Sequence, residues 1–87
     1  MNLEDIVHSV NESVATVLEV EPDTIDPGRP FEEMGVDSLI LVGLSAEFED
    51  RFDLSLHPEI AYEHNTVHKV SRYLYGLLHG GPAGTLQ

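Results

Sequence analysis

The sequence predicts an all-α domain: a four-helix bundle of three longer helices and one short helix, with a long first loop. Three segments carry apolar residues at spacings of three and four, which is the period of a helix with one buried face. No segment alternates polar and apolar residues as a half-buried strand does. A cluster of proline and glycine separates the first two periodic segments and predicts the loop.

The first periodic segment predicts a helix from Leu3 to about Glu19. Asn2 is a residue type that caps helix N-termini, and Glu4 and Asp5 suit the positive end of the helix dipole. The segment is rich in valine, which lowers helix propensity, so we expect tertiary packing to hold it. The predicted buried stripe is Leu3, Ile6, Val7, Val10, Val14, Val17 and Leu18.

The first loop combines residues that oppose regular structure with residues too apolar for a solvated linker. The first group is Pro22, Pro27, Gly28 and Pro30, and the second is Ile25, Phe31, Met34 and Val36. We therefore expect an irregular loop that is pinned to the core. Loops of this length are usually functional or disordered, and the apolar anchors favour function.

The second helix is predicted to follow Ser38 and to be apolar on two sides. One side is the core stripe Leu41, Leu44, Phe48 and Phe52. The other side carries Leu39, Val42 and Ala46, next to the acidic residues Glu47, Glu49 and Asp50. Exposed apolar residues rimmed by acids are typical of a docking face, although the neighbouring loop is an alternative cover for them.

A short and a final helix complete the bundle. Pro58 suits the first turn of a short helix that ends near Glu63, with Ile60, Ala61 and Tyr62 facing inward. Thr66 caps the final helix, which Gly80 and Gly81 end. Its predicted inward residues are Val67, Val70, Leu74, Leu77 and Leu78. Residues 1–80 form the domain, and residues 81–87 are expected to be a flexible tail.

Charge and composition exclude several classes of function. Sixteen acidic residues against 4 Lys plus Arg give a formal charge of −12, which repels nucleic acids and anionic membranes and favours a basic protein partner. The chain has no cysteine and no apolar run of about 20 residues. We expect a soluble, cytoplasmic monomer.

The junction between loop and second helix carries the candidate site. Asp37 and Ser38 are both helix-capping residue types, and a phosphate on the Ser38 hydroxyl would lie in the favourable field of a helix N-terminus. The segment lacks the glycine that follows serine in a hydrolase elbow, so no enzyme is predicted. No metal site is predicted either. Ile25 and Pro27 fail as calcium ligands, and a helix break separates His64 from His68.

The segment Gly35-Val36-Asp37-Ser38-Leu39 resembles the Gly-[Leu/Val/Ala]-Asp-Ser-[Leu/Ile] signature of the acyl carrier protein family, which includes peptidyl carrier proteins. Phe31-Glu32-Glu33-Met34 stands where the family has Phe-x-x-[Leu/Met/Ile]. The resemblance covers about Leu3 to Leu78. It implies a 4′-phosphopantetheine arm on Ser38 that carries acyl groups as thioesters, on a carrier that itself catalyses nothing.

The resemblance also implies partners and site residues. A phosphopantetheinyl transferase would add the arm from coenzyme A with magnesium, and Asp37 would help present the serine. Leu39, Val42 and Ala46 match apolar docking positions, with Glu47, Glu49 and Asp50 near acidic contacts. The enzymes that dock would be an acyltransferase or acyl-ligase and a ketosynthase or other acyl-processing enzyme.

The branch of the family is less closely defined. Ile40 and Leu41 depart from the Asp-[Ser/Thr] of primary fatty-acid carriers, whereas the segment from Tyr62 to Leu74 is similar to polyketide and nonribosomal peptide carriers. The resemblance therefore implies a carrier of polyketide or related secondary metabolism, and the start at Met1 and the short chain favour the expectation of a discrete carrier over an excised domain. A fatty-acid carrier and a peptidyl carrier remain alternatives. Outside the family, the alternative is a small acidic interaction module in which Ser38 is only a cap.

Overall fold

The computed structural model describes residues 2–80 and contains four α-helices and, within that range, no strand. Helix α1 spans Leu3–Leu18, α2 Ser38–Phe52, α3 Ile60–Glu63 and α4 Val67–Leu78. Three longer helices and one short helix confirm the predicted fold class. The tail predicted for residues 81–87 lies outside the described residues.

The helices begin where the predicted caps lie. The Asn2 side chain accepts a hydrogen bond from Asp5 N at 2.8 Å, and Thr66 Oγ1 accepts one from Lys69 N at 3.0 Å. Both bonds satisfy amides that have no partner inside the helix. Helix α3 is shorter than predicted, because Pro58 lies in a turn before its first residue, Ile60.

One hydrophobic core joins all four helices and the first loop. The predicted α2 stripe of Leu41, Leu44, Phe48 and Phe52 is buried, as are Ile6, Val10 and Val14 of α1 and Val67, Val70 and Leu74 of α4. Four further predicted core residues are partly buried and pack against this core: Val7, Val17 and Leu18 of α1 and Leu77 of α4. These burials confirm the helical periods in the sequence.

Three residues predicted to face inward are exposed. Tyr62 is 50% exposed because α3 is a single turn, and its one inward side is occupied by Ile60 and Ala61. Leu3 and Leu78 are 38% and 37% exposed. Each is the terminal residue of its helix, where packing against neighbouring helices ends.

The prediction of a loop without regular structure was wrong in part. Two short 3₁₀ helices, Pro22–Thr24 and Phe31–Met34, form within it. Proline is compatible with both because it occupies the first turn of one and the residue before the other, where no helical N–H is needed.

The predicted pinning of the first loop is confirmed. Ile25, Phe31 and Val36 are buried, and Met34 packs against the core. Backbone hydrogen bonds also tie the loop to the far end of the chain, from Phe31 N to Asn65 O at 2.9 Å and from His68 N to Pro27 O at 3.0 Å. The loop is therefore a fixed part of the fold up to Val36, just before the candidate site.

His64, which joins α3 to α4, makes stability depend on pH. Its ring stacks on Tyr73 with centroids 4.4 Å apart, and burial lowers its pKa below 6.5, against an opposing effect of Glu63. Below pH 6.5, His64 is protonated in the unfolded chain but stays neutral in the folded chain. The free energy of unfolding therefore falls as the pH drops from 6.5 toward the lower pKa of His64 in the folded chain. Above 6.5 the contribution is constant.

We expect urea unfolding midpoints to decrease between about pH 7.5 and pH 5.5, and to decrease less in His64→Gln. His68→Gln, which replaces an exposed histidine of α4, is the matched control. An equal decrease in the parent chain and in His64→Gln would contradict the prediction.

Candidate functional site

The site is the turn that delivers the chain from the loop into α2. Gly35 ends the second 3₁₀ helix with φ of 79°, a left-handed conformation that suits glycine. Val36 then returns to the core, only 7% exposed. The next three residues, Asp37, Ser38 and Leu39, are exposed. A left-handed glycine turn followed by a buried anchor thus orients the start of α2.

Gly35→Ala is expected to lower the free energy of unfolding by about 1–2 kcal/mol, because an L side chain disfavours the left-handed conformation. No atom lies within 4 Å of the added methyl group, so the cost comes from the backbone. Gly43→Ala is the control. It also has open space but lies inside α2, so it should stabilise the helix by up to about 1 kcal/mol. Chemical denaturation measures both changes in the free energy of unfolding. Changes of the same sign in Gly35→Ala and Gly43→Ala would contradict the prediction.

Asp37, and not Ser38, is the cap of α2. Asp37 Oδ1 accepts a hydrogen bond from Ile40 N at 2.9 Å, and Asp37 O accepts one from Leu41 N at 3.0 Å. Ser38 is the first residue of the helix, and its hydroxyl has no hydrogen-bond partner among residues 2–80. The serine oxygen is therefore exposed at the positive end of a helix of 15 residues.

A shallow cleft of about 200 Å³ opens beside Ser38. Phe31, Val36, Leu41 and Ala61 form its apolar walls, and Glu32, Tyr62 and Asn65 add polar atoms. It brings residues from the first loop, α2 and α3 to the serine. The sequence analysis did not place Tyr62 and Asn65 at the site, because only folding brings α3 and the residues that follow it beside the start of α2.

The predicted apolar docking residues form one exposed face of α2. Leu39 is 80% exposed and Val42 43% exposed, and Ala46 is also exposed. The loop, which was the alternative cover, packs elsewhere. Their role in docking stays a prediction, and the exposed ring of Tyr62 on α3 adds an apolar surface that the sequence did not indicate.

Two of the three predicted acidic docking residues also bind within the fold. Glu49 accepts a hydrogen bond from Leu56 N at 2.7 Å and so holds the segment that leads to α3. Glu47 forms an ion pair at 3.4 Å with Arg51, which in turn pairs with Glu12 of α1 at 3.3 Å. Asp50 is exposed.

Ser45 fixes α2 against the turn that precedes α3, and the sequence analysis did not identify this role. It is buried on the core side of α2, and its hydroxyl donates to Pro58 O at 2.9 Å. The available signal was its position four residues after Leu41, on the predicted core stripe. The bond ties α2 to the turn before α3.

Comparison with known proteins identifies the family. Residues 8–74 match the family model described as "Phosphopantetheine attachment site", and this segment contains the whole junction. The chain belongs to the phosphopantetheine carrier family. Members of this family are carriers, and phosphopantetheine is their cofactor.

The carrier is also similar to an individual acyl carrier protein and to a polyketide synthase. It is 30% identical over 71 residues to the acyl carrier protein TtuC of Teredinibacter turnerae, covering 82% of each chain. It is 30% identical over 74 residues to the polyketide synthase PksN of Bacillus subtilis, covering 84% of this chain but 1% of that synthase. It therefore corresponds to most of a small carrier protein and to a minor part of a large synthase.

Two solved structures share the fold. One is a free-standing peptidyl carrier protein of an Acinetobacter baumannii secondary metabolic pathway, with a TM-score of 0.82 and 30% identity, covering 88% of this chain and 96% of the other. The other is the HMG-ACPI domain of the CurA module from Lyngbya majuscula, with a TM-score of 0.84 at 24% identity, covering 91% of this chain and 80% of the other. The second likeness shows the fold alone, whereas the family match, the two relatives above and the first structure together show a carrier of the polyketide or nonribosomal peptide type.

Two kinds of feature are absent from residues 2–80. None of the helices described is long and apolar enough to cross a membrane. Within the same residues, no group of three His, Cys, Asp or Glu side chains comes together in a geometry that could hold a metal ion.

Proposed function

We propose that Ser38 is the residue that carries the phosphopantetheine arm. The observation that carries the proposal is the exposed, unpartnered Ser38 hydroxyl at the first residue of α2. A hydroxyl used as a cap would be bound to the helix backbone, whereas Asp37 performs that role here. The positive end of α2 stabilises the phosphate of a phosphodiester at this position.

Attachment replaces the Ser38 O–H bond by an O–P bond. The Ser38 oxygen bonds to the phosphorus that carries pantetheine, the P–O–P bond of coenzyme A breaks, the nucleotide part leaves with the other phosphate, and the hydroxyl proton is released to water. Asp37 presents the serine through its Oδ1 bond to Ile40 N, while Oδ2 makes no hydrogen bond among residues 2–80. That free oxygen suits a magnesium ion held by the phosphopantetheinyl transferase.

The arm supplies the thiol that a chain without cysteine lacks, and acyl groups form thioesters on it. The carrier contributes position and recognition. Leu39, Val42 and Ala46 supply an apolar contact surface, and Asp50 with the partly engaged Glu47 and Glu49 supplies negative charge toward basic partner enzymes. The proposed partners are the transferase, an acyltransferase or acyl-ligase, and a ketosynthase or another acyl-processing enzyme, in the cytoplasm.

The proposed pathway is polyketide or related secondary metabolism, supported by the similarity to the polyketide synthase PksN. A peptidyl carrier is the second candidate, because the Acinetobacter baumannii carrier of the same fold is a peptidyl carrier. Supplying the holo carrier with an acyl-ligase or with an adenylating amino-acid ligase distinguishes the two by which thioester forms.

The test is incubation with coenzyme A, magnesium and a promiscuous phosphopantetheinyl transferase, followed by intact-protein mass spectrometry. The parent chain should gain the mass of one phosphopantetheine group, and Ser38→Ala should gain none. Ser55→Ala is the matched control, since Ser55 is also exposed but lies in the loop between α2 and α3. A gain that persists in Ser38→Ala, or no gain in the parent chain, refutes the proposal and favours an acidic interaction module.

A further inference from the structure

The acidic docking residues of α2 differ in how far the fold itself engages them. Glu49 accepts the hydrogen bond from Leu56 N at 2.7 Å, and Glu47 pairs with Arg51 at 3.4 Å. Asp50 is exposed, and its carboxylate makes no hydrogen bond or ion pair among residues 2–80. A basic side chain of a partner can therefore pair with Asp50 without replacing a contact inside the carrier. Pairing with Glu47 or Glu49 replaces an existing contact.

Arg51 engages two carboxylates at once. Its guanidinium lies 3.4 Å from Glu47 Oε2 and 3.3 Å from Glu12 Oε1 of α1. Glu12 also contacts His8 Nε2 at 3.2 Å. The Glu47 side chain is only 28% exposed, so solvent screens its pair with Arg51 less than it screens a fully exposed pair. A carboxylate that already faces an internal cation gives less attraction to the cation of a partner.

Asp50 continues the line of the exposed apolar residues. Leu39, Ala46 and Asp50 are separated by seven and four residues, which places them on one line along a helix, and all three are exposed. The rise of a helix puts Asp50 about 16 Å along α2 from Leu39. Glu47 lies off this line, on the side of α2 nearer α1. A partner that lies along the exposed face of α2 therefore reaches Asp50 first.

We propose that Arg51 is a specificity-determining residue of the docking surface: it occupies Glu47 and leaves Asp50 as the carboxylate that pairs with a basic side chain of the partner enzyme. The matching enzyme surface has an apolar socket for Leu39 and an arginine or lysine about 16 Å from it, along the direction of α2. An enzyme whose basic residue faces Glu47 instead meets the guanidinium of Arg51, and the like charges oppose docking. This inference rests on the proposed carrier function, because the partners are the enzymes that load and use the arm.

The first test measures KM and kcat of arm transfer by the phosphopantetheinyl transferase, with the unmodified chain as the varied substrate. Asp50→Asn should raise KM by at least about fivefold and leave kcat unchanged, because the lost charge pair acts in docking and not in the chemistry at Ser38. Asp53→Asn is the matched control. Asp53 is also exposed and its carboxylate has no partner in the described part of the chain, but it follows α2 and lies off the line. It should change KM less than about twofold.

The second test is a double-mutant cycle of Arg51 and Glu47. In the parent chain, Glu47→Gln should change KM less than about twofold, because Arg51 already occupies this carboxylate. In Arg51→Gln, the same substitution should raise KM by at least about fivefold. Glu47 is then free, and it neighbours Asp50 on the helix surface at a spacing of three residues, within reach of the same basic side chain. A purely structural role of Arg51 would produce no such coupling.

Arg29→Gln is the control for the cycle, since it removes the same charge and releases Glu33 in the first loop, outside α2. The effect of Glu47→Gln on KM should be the same in Arg29→Gln as in the parent chain. Urea unfolding checks that each variant is folded, and partly exposed ion pairs such as those of Arg51 contribute little to stability.

Two results would overturn this proposal while leaving Ser38 as the attachment residue. One is an equal rise of KM in Asp50→Asn and Asp53→Asn, or no rise in either. The other is an effect of Glu47→Gln that is the same with and without Arg51. Failure of the transferase to modify the parent chain would refute the proposed carrier function, and this inference with it.

Discussion

Phe48→Ala should lower the free energy of unfolding by about 3–5 kcal/mol. Phe48 is fully buried in α2, within the core that also holds Ile6, Leu44 and Leu74, so the substitution leaves a cavity that rigid helices fill only in part. Domains of this size have total stabilities of about 5–15 kcal/mol. Because this loss is a large fraction of the total stability, the variant should unfold at a much lower urea concentration.

Leu39→Ala is the control for this prediction. It lies on the same helix but is 80% exposed, so its truncation should change stability by less than about 0.5 kcal/mol. Leu44→Ala, also fully buried, should cost about 2–5 kcal/mol. A loss below about 1 kcal/mol in Phe48→Ala, or equal losses in the buried and exposed positions, would show that α2 does not pack as described.

Val42→Asp should reduce the kcat/KM of acyl transfer from a partner enzyme by at least about tenfold, equivalent to about 1.4 kcal/mol of lost binding in the transition state. The substitution places a carboxylate in the middle of the proposed apolar contact surface, where it would be buried without a partner when the enzyme docks. Folding should be little affected, because Val42 points away from the core stripe.

Val20→Asp is a closely matched control. Val20 and Val42 are the same residue type at nearly equal exposure, 44% and 43%, but Val20 follows α1 and lies outside α2. Transfer kinetics of Val20→Asp should equal those of the parent chain, and urea titrations should give similar stabilities for all three proteins. Equal kinetics of Val42→Asp and the parent chain would exclude Val42 from the docking surface.

Local sequence information was sufficient to predict the helices and the residues at which they begin. The stripe that contains Leu44 and Phe48 has helical spacing, and Asn2, Asp37 and Thr66 are capping types that act on amides three residues later. Such interactions span one turn, so they can be read from neighbouring residues. The junction at Ser38 was predicted for the same reason, since its parts are contiguous along the chain.

Interactions between distant segments were not predictable in this way. The Arg51 ion pair with Glu12 spans 39 positions, and the Ser45 bond to Pro58 spans 13. From the sequence, Glu47 and Glu49 were interpreted as acids on an exposed docking face, yet in the structure both have partners within the fold. A lone polar residue on a helix has many possible partners, and only the packing angle of the helices selects among them.

The sequence by itself therefore determined an acidic, all-helical domain with a serine at the start of its second helix, because periodicity, capping and charge are properties of local segments, and the signature around Ser38 indicated the carrier family by resemblance. Only the tertiary structure decided that the Ser38 hydroxyl is free while Asp37 caps the helix, and that Tyr62 and Asn65 lie beside the serine. These features arise where segments far apart in the chain meet, and their positions follow from how the helices pack around one core.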